Sequence, residues 1–223
     1  MKTVATLGGA IGAALGNDIS FSAGCIRDPV PLPFPDEAEM LGNVSLRRRR
    51  EFGWGRHHAR EALRRLGFAP VAILSRDRAP LWPSGVVGSI SHSSSDCGAV
   101  AGLSSNVLAL GLDIEDHEPL ESELLPIICT PLEMERKEWS RSCVGPKLIF
   151  VIKEAVYKSY APHTGEFLDF QDVIVRTDDT IGSFEANVIN HDKPALFGSR
   201  IIRGIYLQFE DGFLALSARF SDA

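Results

Sequence analysis

Apolar residues recur along this chain in two rhythms, and these predict which segments are strands and which are helices. Helical spacing predicts a helix in two parts over 36–66 and helical structure over 120–160. Alternating or continuous apolar runs predict eight strands: 71–74, 86–93, 99–103, 107–114, 172–176, 183–189, 204–209 and 213–220. Glu210-Asp211-Gly212 predicts a hairpin turn between the last two. Helix and strands in each half predict an α+β protein of two similar lobes, each a small antiparallel sheet packed with helix.

The chain is long enough for two small domains, with 223 residues of which 44% are hydrophobic. We predict an N-terminal lobe over 1–108 and a C-terminal lobe over 109–223. Prolines 29, 31, 33 and 35 alternate in an extended connector ahead of the first predicted helix. Gly67 is a natural stop for that helix, whereas Gly53 and Gly55 weaken its middle or let a ligand approach its backbone.

Arginines are concentrated in one short part of an otherwise acidic protein. Residues 47–65 contain eight arginines and two glutamates, a local charge of +6 within a chain of net charge −6. Guanidinium groups match phosphate oxygens bidentately, so this element predicts a site for an anion or an acidic partner. A solvated helix face or a nucleic-acid patch is an alternative for the same run.

The cysteines and the hydropathy pattern indicate where the protein works. Four cysteines at irregular separations give neither a zinc motif nor a dense disulfide framework, which favours a reducing, cytoplasmic setting. No stretch approaches the roughly 20 apolar residues that a membrane helix needs. The prediction is a protein without membrane association.

Two acidic segments about forty residues apart predict the chemistry. Asp113 and Glu115 follow the apolar run 107–110, and the period of two in a strand places both carboxylates on one face. In the predicted helix 150–158, Glu154 and Lys158 are four residues apart and lie on one side. Crowded carboxylates repel unless a cation lies between them, and Mg²⁺ prefers such oxygens together with substrate phosphates. This predicts magnesium-dependent phosphate chemistry.

Each segment also has a plainer interpretation. Alternating acids on a strand are often its solvent face, and Glu154 with Lys158 could be an exposed salt-bridge ladder. The run Ser89–Ser93 contains Ser and His but lacks the Gly-x-Ser-x-Gly elbow of a serine hydrolase. Two other functions stay open: a nucleic-acid-binding module using the arginine helix, and a metal-dependent phosphohydrolase with water as nucleophile.

The combination of motifs resembles the 4′-phosphopantetheinyl transferases of the Sfp and enterobactin-synthase type, from about residue 47 to 160. Four ordered blocks carry the resemblance: Arg48-Arg49-Arg50-Glu51-Phe52 with Gly55-Arg56 and Ala59-Arg60; Trp82-Pro83-x-Gly85 leading into Gly88–Ser93; Gly111-x-Asp113-x-Glu115; and Phe150-x-x-Lys153-Glu154-Ala155-x-x-Lys158. The last two blocks together are the family's signature. The first two indicate the subgroup with an arginine-rich helix.

The resemblance implies two pseudo-symmetric α+β lobes with coenzyme A in the cleft between them. It implies transfer of the phosphopantetheine arm to a serine of an acyl or peptidyl carrier protein, releasing adenosine 3′,5′-bisphosphate. Asp113, Glu115 and Glu154 are then the Mg²⁺ ligands, with Glu154 and Lys158 catalytic. Contacts to the coenzyme's phosphates are implied for Arg48, Arg56, Ser91, His92 and Lys158.

Two departures from the family pattern are present. Many relatives have Gly-Lys-Pro where this chain has Arg78-Ala79-Pro80, so Arg78 or the competing Arg76 is expected to meet a phosphate. Phe150 stands where Trp is common. The serine's proton acceptor is either Glu154 or a metal-bound water. We expect a monomer that binds no nucleic acid and serves fatty-acid, polyketide, siderophore or nonribosomal peptide synthesis.

Overall fold

A computed structural model describes residues 3–7, 11–12, 16, 18–77, 79–135 and 144–221. The chain forms two compact units. The first comprises Met1–Leu110 with Phe220–Ala223, and the second comprises Gly111–Arg219. Each contains one main antiparallel sheet and one long helix, which confirms the predicted α+β class.

The first unit is built on a three-stranded antiparallel sheet in the order β1-β5-β4. Its elements are β1 (Ile19–Cys25), α1 (Pro35–Leu41), α2 (Leu46–Arg65), β2 (Ser75–Arg76), β3 (Ala79–Pro80), β4 (Val86–His92) and β5 (Asp96–Leu103), after a 3₁₀ turn at Val4–Thr6. The apolar stripe of α2 packs on the sheet, where Ala59 and Leu63 are fully buried. Gly67 follows the C-terminal end of α2 and has a positive φ of 87°, as expected of a glycine that terminates a helix.

The glycines inside α2 do not interrupt the helix, and neighbouring parts of the chain lie against them. A Cβ on Gly53 would come within 2.7 Å of Val30 Cγ1 and 2.8 Å of the Pro31 carbonyl oxygen. A Cβ on Gly55 would reach 3.0 Å from Ile90 of β4. The close approach that these glycines predicted is therefore made by the protein's own proline-rich segment and sheet.

The second unit is built on a five-stranded sheet in the order β6-β10-β9-β8-β7. Its elements are β6 (Val107–Asp116), α3 (Leu125–Ile128), α4 (Pro131–Met134), α5 (Val144–Thr164), β7 (Val173–Asp178), β8 (Ser183–Val188), β9 (Ile201–Phe209) and β10 (Gly212–Phe220), with 3₁₀ turns at Ser122–Leu124 and Phe170–Asp172. Strand β6 begins in the first unit and continues into the second. The predicted hairpin turn is confirmed, because Gly212 pairs with Phe209.

In each unit, a buried glutamate connects a short helix to the long helix and to a later segment of the chain. In the first, Glu37 is the third residue of α1 after Pro35, and its fully buried carboxylate accepts from Arg60 of α2 at 2.7 Å and from Ile73 N at 2.8 Å. It also accepts from the backbone N–H of Phe34 and so caps its own helix.

In the second unit, Glu133 is the third residue of α4 after Pro131. Its fully buried carboxylate accepts from Lys153 of α5 at 2.7 Å and from Val175 N at 2.7 Å. The same four features therefore occur in the same order in both units. They are a proline, a buried glutamate, a basic residue of the long helix and a backbone N–H of a later segment. The two halves share an architectural plan, although residue identity along the chain shows no repeat.

Three local predictions were wrong or incomplete. Residues 71–74 form no strand, because the backbone N–H of Ile73 bonds to Glu37 rather than to a neighbouring strand. Within 120–160, short helical turns precede α5, since Pro131 starts a new helix instead of continuing one. Strand β1 was not predicted, yet it pairs with β5 over its whole length.

Two further observations bear on the setting of the protein. Over the described part of the chain, no helix is both long and apolar enough to traverse a lipid bilayer. Among the described residues, Cys25, Cys97 and Cys129 form no disulfide bond, and Cys143 lies outside the described residues.

Candidate active site

Backbone-to-backbone contact between β6 and α5 sets the frame of the site. A Cβ on Gly111 would lie only 1.9 Å from the Ala155 carbonyl oxygen and 2.6 Å from Ser159 N. Ser217 of β10 closes this contact by donating to the Ala155 carbonyl oxygen at 2.8 Å. Only glycine fits at 111, so the strand that carries Asp113 runs directly against the helix turn that carries Glu154.

The structure pairs Asp113 with Lys158 and places Glu115 and Glu154 within electrostatic reach of Asp113. Asp113 is 3% exposed, and Lys158 Nζ donates to its Oδ1 at 2.6 Å. Glu115 and Glu154 are half-buried. The plainer interpretation of Asp113 as part of a solvent face does not hold, because its carboxylate is buried and paired with an ammonium group.

The pKa shifts show that these groups share one electrostatic environment. Burial raises the pKa of Glu154, and the negative charges of Asp113 and Glu115 raise it further, while Lys158 opposes them. Burial likewise raises the pKa of Glu115, with Asp113 adding to the effect. The charged forms of Glu115 and Glu154 would therefore be stabilised by a bound cation.

Lys153 is adjacent to Glu154 in sequence, but its contacts are structural. It is 3% exposed, and its Nζ donates to Glu133 Oε2, the Ile128 carbonyl oxygen and the Phe170 carbonyl oxygen at 2.7–2.8 Å. This fully satisfied ammonium ties α5 to the segments before and after it. Of the Lys-Glu pair in the signature motif, only Glu154 belongs with Asp113 and Glu115, and these three residues are called the carboxylate cluster below.

Lys147 is a member of the cluster that the sequence motif did not indicate. It lies in the first turn of α5, and its Nζ donates to Glu115 Oε2 at 2.8 Å. Lys147 is seven residues before Glu154, two helical turns, so the helical period would have placed both on one face. Its partner on β6 could not be inferred from that spacing.

In the first unit, Glu51 connects two of the predicted phosphate contacts. Its Oε2 lies 3.5 Å from Arg48 Nη1 and 3.6 Å from His92 Nε2, while Arg47 Nε donates to its Oε1 at 2.8 Å. Burial opposes the charged form of Glu51, but these three basic groups together lower the pKa of its carboxyl. The structure thus brings Arg48 and His92 to one carboxylate.

The other predicted phosphate contacts are placed differently. Arg56 is buried and donates to the Ile73 carbonyl oxygen at 2.9 Å and to Ser75 Oγ at 3.1 Å, and burial lowers its pKa to about 10. Ser91 is buried in β4, and Arg76 is exposed in β2. Arg78 lies outside the described residues. Arg56 therefore holds the segment that carries Arg76, while its role toward a phosphate stays a prediction.

A cavity of about 540 Å³ lies in the first unit beside the Glu51 carboxylate. Its lining consists of Ile26, Arg27, Asp28, Leu46, Arg47, Arg50, Glu51 and Ser94. Three guanidinium groups and two carboxylates make this lining weakly cationic. Arg27 was not singled out from the sequence, because it lies outside the arginine run.

The carboxylates of Asp113, Glu115 and Glu154 are the candidate metal ligands of the second unit. Among the described residues, no three His, Cys, Asp or Glu side chains are already grouped tightly enough to hold a metal ion. The donors are nevertheless of the right kind, since hard carboxylate oxygens suit Mg²⁺ and their mutual repulsion favours a cation. The donor atoms of Asp113, Glu115 and Glu154 are therefore chemically suited to Mg²⁺.

Comparison with known proteins decides the family. Residues 36–102 match the 4′-phosphopantetheinyl transferase N-terminal domain, and residues 109–202 match the 4′-phosphopantetheinyl transferase superfamily. The chain is 34% identical over 197 residues to the 4′-phosphopantetheinyl transferase PptT of Mycobacterium tuberculosis, covering 84% of this chain and 86% of that protein. The chain belongs to the 4′-phosphopantetheinyl transferase family.

Other relatives agree with this assignment. The transferase is 36% identical over 170 residues to 4′-phosphopantetheinyl transferase Svp of Streptomyces mobaraensis, covering 73% of this chain and 68% of Svp. It is 33% identical over 155 residues to enterobactin synthase component D of Escherichia coli K12, covering 66% of this chain and 70% of that protein. The predicted family and the predicted enzyme class are confirmed.

Proposed function

We propose that this transferase moves the 4′-phosphopantetheine arm of coenzyme A to a serine of an acyl or peptidyl carrier domain, with Mg²⁺, and releases adenosine 3′,5′-bisphosphate. The observation that carries the proposal is the cluster of Asp113, Glu115, Glu154 and Lys158 on β6 and α5. The family supplies the substrate class, because its members act on carrier proteins with coenzyme A.

The reaction asks little covalent chemistry of the protein. The serine oxygen attacks the phosphorus next to the pantetheine, the P–O bond to the adenosine 5′-phosphate breaks, and the serine loses its proton. The carboxylate of Glu154 can accept this proton as a general base, and a metal-bound water stays the alternative acceptor. Lys158, with its side chain 29% exposed, can neutralise charge on the transferred phosphate.

Magnesium, when bound, would balance negative charge on the pyrophosphate oxygens. Asp113, Glu115 and Glu154 would hold it, because they are the three carboxylates that act on one another.

Phosphate contacts of the coenzyme are assigned to the first unit. Arg48 and His92 already converge on the carboxylate of Glu51, and charge-assisted donors of this kind match a phosphate. Ser91, Arg56, Arg76 and Arg78 remain members of this proposed set. The carrier served, whether of fatty-acid, polyketide, siderophore or peptide synthesis, belongs to the same proposal, and enterobactin synthase component D is a relative from siderophore assembly.

The test is transfer itself. Wild type incubated with coenzyme A, Mg²⁺ and an apo carrier domain should add one phosphopantetheine arm to the carrier, measured by intact-protein mass spectrometry. Glu154→Gln and Lys158→Met should each lower the transfer rate by about 100-fold or more, because each removes a group that acts on the reacting phosphate.

Glu166→Gln is the matched control, since Glu166 is an exposed acid of the second unit in a 3.7 Å ion pair with Lys193. It should transfer at the wild-type rate. Breakdown of coenzyme A without a mass gain on the carrier would favour a phosphohydrolase and overturn the proposal.

A further inference from the structure

Lys147 is a buried lysine outside the signature motif that binds one of the proposed metal ligands. The residue is 7% exposed, and its ammonium lies 2.8 Å from Glu115 Oε2. It also lies 5.4 Å from the centroid of the Phe150 ring, one turn further along α5. Burial of an ammonium is costly unless a carboxylate compensates it, so the pair with Glu115 is a built feature of the fold.

Helix α5 presents basic groups at both ends of the carboxylate cluster. Lys147 and Lys158 lie eleven residues apart, about 16 Å along the helix axis, with Glu154 between them. On β6, Asp113 and Glu115 are about 7 Å apart. Lys158 bonds to Asp113 and Lys147 bonds to Glu115. Each strand carboxylate therefore has one lysine of α5 as a partner.

The two lysines differ in burial, and this difference separates their roles. The side chain of Lys158 is 29% exposed, so its ammonium can contact a phosphate that lies in solvent beside it. The side chain of Lys147 is 9% exposed and lies over an aromatic ring. If Lys147 left Glu115, its ammonium charge would remain buried beside an aromatic ring without a counter-charge. We therefore expect Lys147 to stay bonded to Glu115 Oε2.

We propose that Lys147 is a positioning residue that fixes the Glu115 carboxylate for the divalent ion. With Oε2 held by Lys147, Oε1 is the oxygen that Glu115 offers to a metal. Ligating carboxylates are generally oriented by hydrogen bonds from a surrounding group, and loss of such a group costs about 10- to 100-fold in metal affinity. This inference rests on the proposed function, because it assumes that Glu115 is a metal ligand.

The experiment measures binding of Mn²⁺ as a probe to the full chain with coenzyme A present, by the loss of the free-ion electron paramagnetic resonance signal. Lys147→Met, which keeps the length of the side chain but removes its charge, should bind Mn²⁺ about 10- to 100-fold more weakly than wild type. Lys147→Arg, which keeps the charge and donors, should recover most of the affinity. Lys193→Met, which removes a lysine outside the cluster, should bind as wild type does.

A kinetic readout separates positioning from a loss of structure. For Lys147→Met, the Mg²⁺ concentration for half-maximal transfer should rise by the same factor, while the rate at saturating Mg²⁺ stays near that of wild type. If the Met variant does not fold, Lys147→Gln, which removes the charge but retains an amide N–H₂ group, takes its place and should change Mn²⁺ affinity in the same direction.

Unchanged or tighter Mn²⁺ binding by the folded variants would overturn the inference, because Lys147 would then be only a counter-charge. If wild type binds no Mn²⁺, the proposed metal site fails and this inference fails with it. Wild-type binding with equal binding by the Lys147 variants removes the inference alone and leaves the proposed function standing.

Discussion

His58 is a buried histidine of α2 that the fold keeps neutral. Its Nδ1 lies 3.0 Å from Ser22 Oγ, and no described group hydrogen-bonds its Nε2. Burial lowers its pKa to about 4, and the positive charges of His57 and Arg65 contribute. Because this pKa is below the ordinary value of 6.5, protonation favours the unfolded chain. The stabilisation is complete above about pH 6.5 and is lost as the pH falls toward 4.

We therefore expect His58 to make the transferase acid-sensitive. Between about pH 7 and pH 5, wild type should lose about 2 kcal/mol of its free energy of unfolding through this residue. In His58→Gln the decrease in the free energy of unfolding between pH 7 and pH 5 should be smaller by about 2 kcal/mol. Urea unfolding at each pH measures this free energy. His191→Gln, which alters an exposed histidine, should keep the wild-type pH dependence. Equal pH dependence in wild type and His58→Gln would contradict the assignment.

Residue type and spacing predicted part of the site. Asp113 with Glu115, and Glu154 with Lys158, could be grouped in advance because strand and helix periods put each pair on one face. Lys147 and Glu51 could not, since their roles depend on partners 32 and 41 residues away in the chain. Helical spacing grouped Lys158 with Glu154, but it did not show that the adjacent Lys153 is buried against Glu133.

At the level of elements, the Lys153–Glu133 pair holds the short helices of the second unit on α5. Both side chains are buried, and Glu133 also accepts from Thr130 N at 2.8 Å and from Val175 N at 2.7 Å. Lys153 accordingly links α5 with the turn before α4 and, through Glu133, with β7. Removal of one partner would leave the other charge buried without compensation.

Lys153→Met should lower the free energy of unfolding by about 3–5 kcal/mol, because the carboxylate of Glu133 loses its counter-charge. The double variant Lys153→Met with Glu133→Gln should recover part of that loss, since no buried charge then remains. Chemical denaturation measures both, and Lys193→Met is the control at a partly exposed pair. A double variant as unstable as the sum of its single variants would show that the two residues do not act as a pair.

Elements were predicted best where burial and period agree, as in β5, β6 and the β9–β10 hairpin. The segment 71–74 has a strand's composition, but a glutamate side chain takes the place of a neighbouring strand. Strand β1 escaped prediction because its Ser, Ala and Gly residues give a weak β signal, whereas pairing with β5 determines its conformation.

At the scale of the whole molecule, charge is distributed unevenly. The arginine helix carries a local charge of +6, but much of it is used internally: Arg50 pairs with Asp28, Arg60 with Glu37, and Arg65 donates to the Phe21 carbonyl oxygen. Arg47 and Arg64 are among the exposed members, with 78% and 62% of their side chains accessible. Carrier domains are typically acidic, so these two arginines are available to guide docking.

If they do so, the rate of carrier modification at low carrier concentration should fall as salt rises, because screening weakens the attraction. Arg47→Gln with Arg64→Gln should be slower at low salt and show a flatter salt dependence. Initial rates over a salt series, at fixed saturating coenzyme A and Mg²⁺, provide the measurement. Arg203→Gln, at an exposed pair with Glu185 in the second unit, should keep the wild-type dependence. An unchanged salt series in the double variant would exclude a steering role for these arginines.

The contact at Gly111 limits how this enzyme can be re-engineered. Main-chain atoms of β6 and α5 touch there, so the gap between the two elements is already at its minimum and no side-chain exchange can narrow it. Widening the gap for a larger ion such as Ca²⁺ would begin with a bulkier residue at 111 and would strain the Ser217 hydrogen bond as well. A designer would do better to change the reach of the carboxylates, for example by Asp113→Glu, and to leave the backbone spacing as it is.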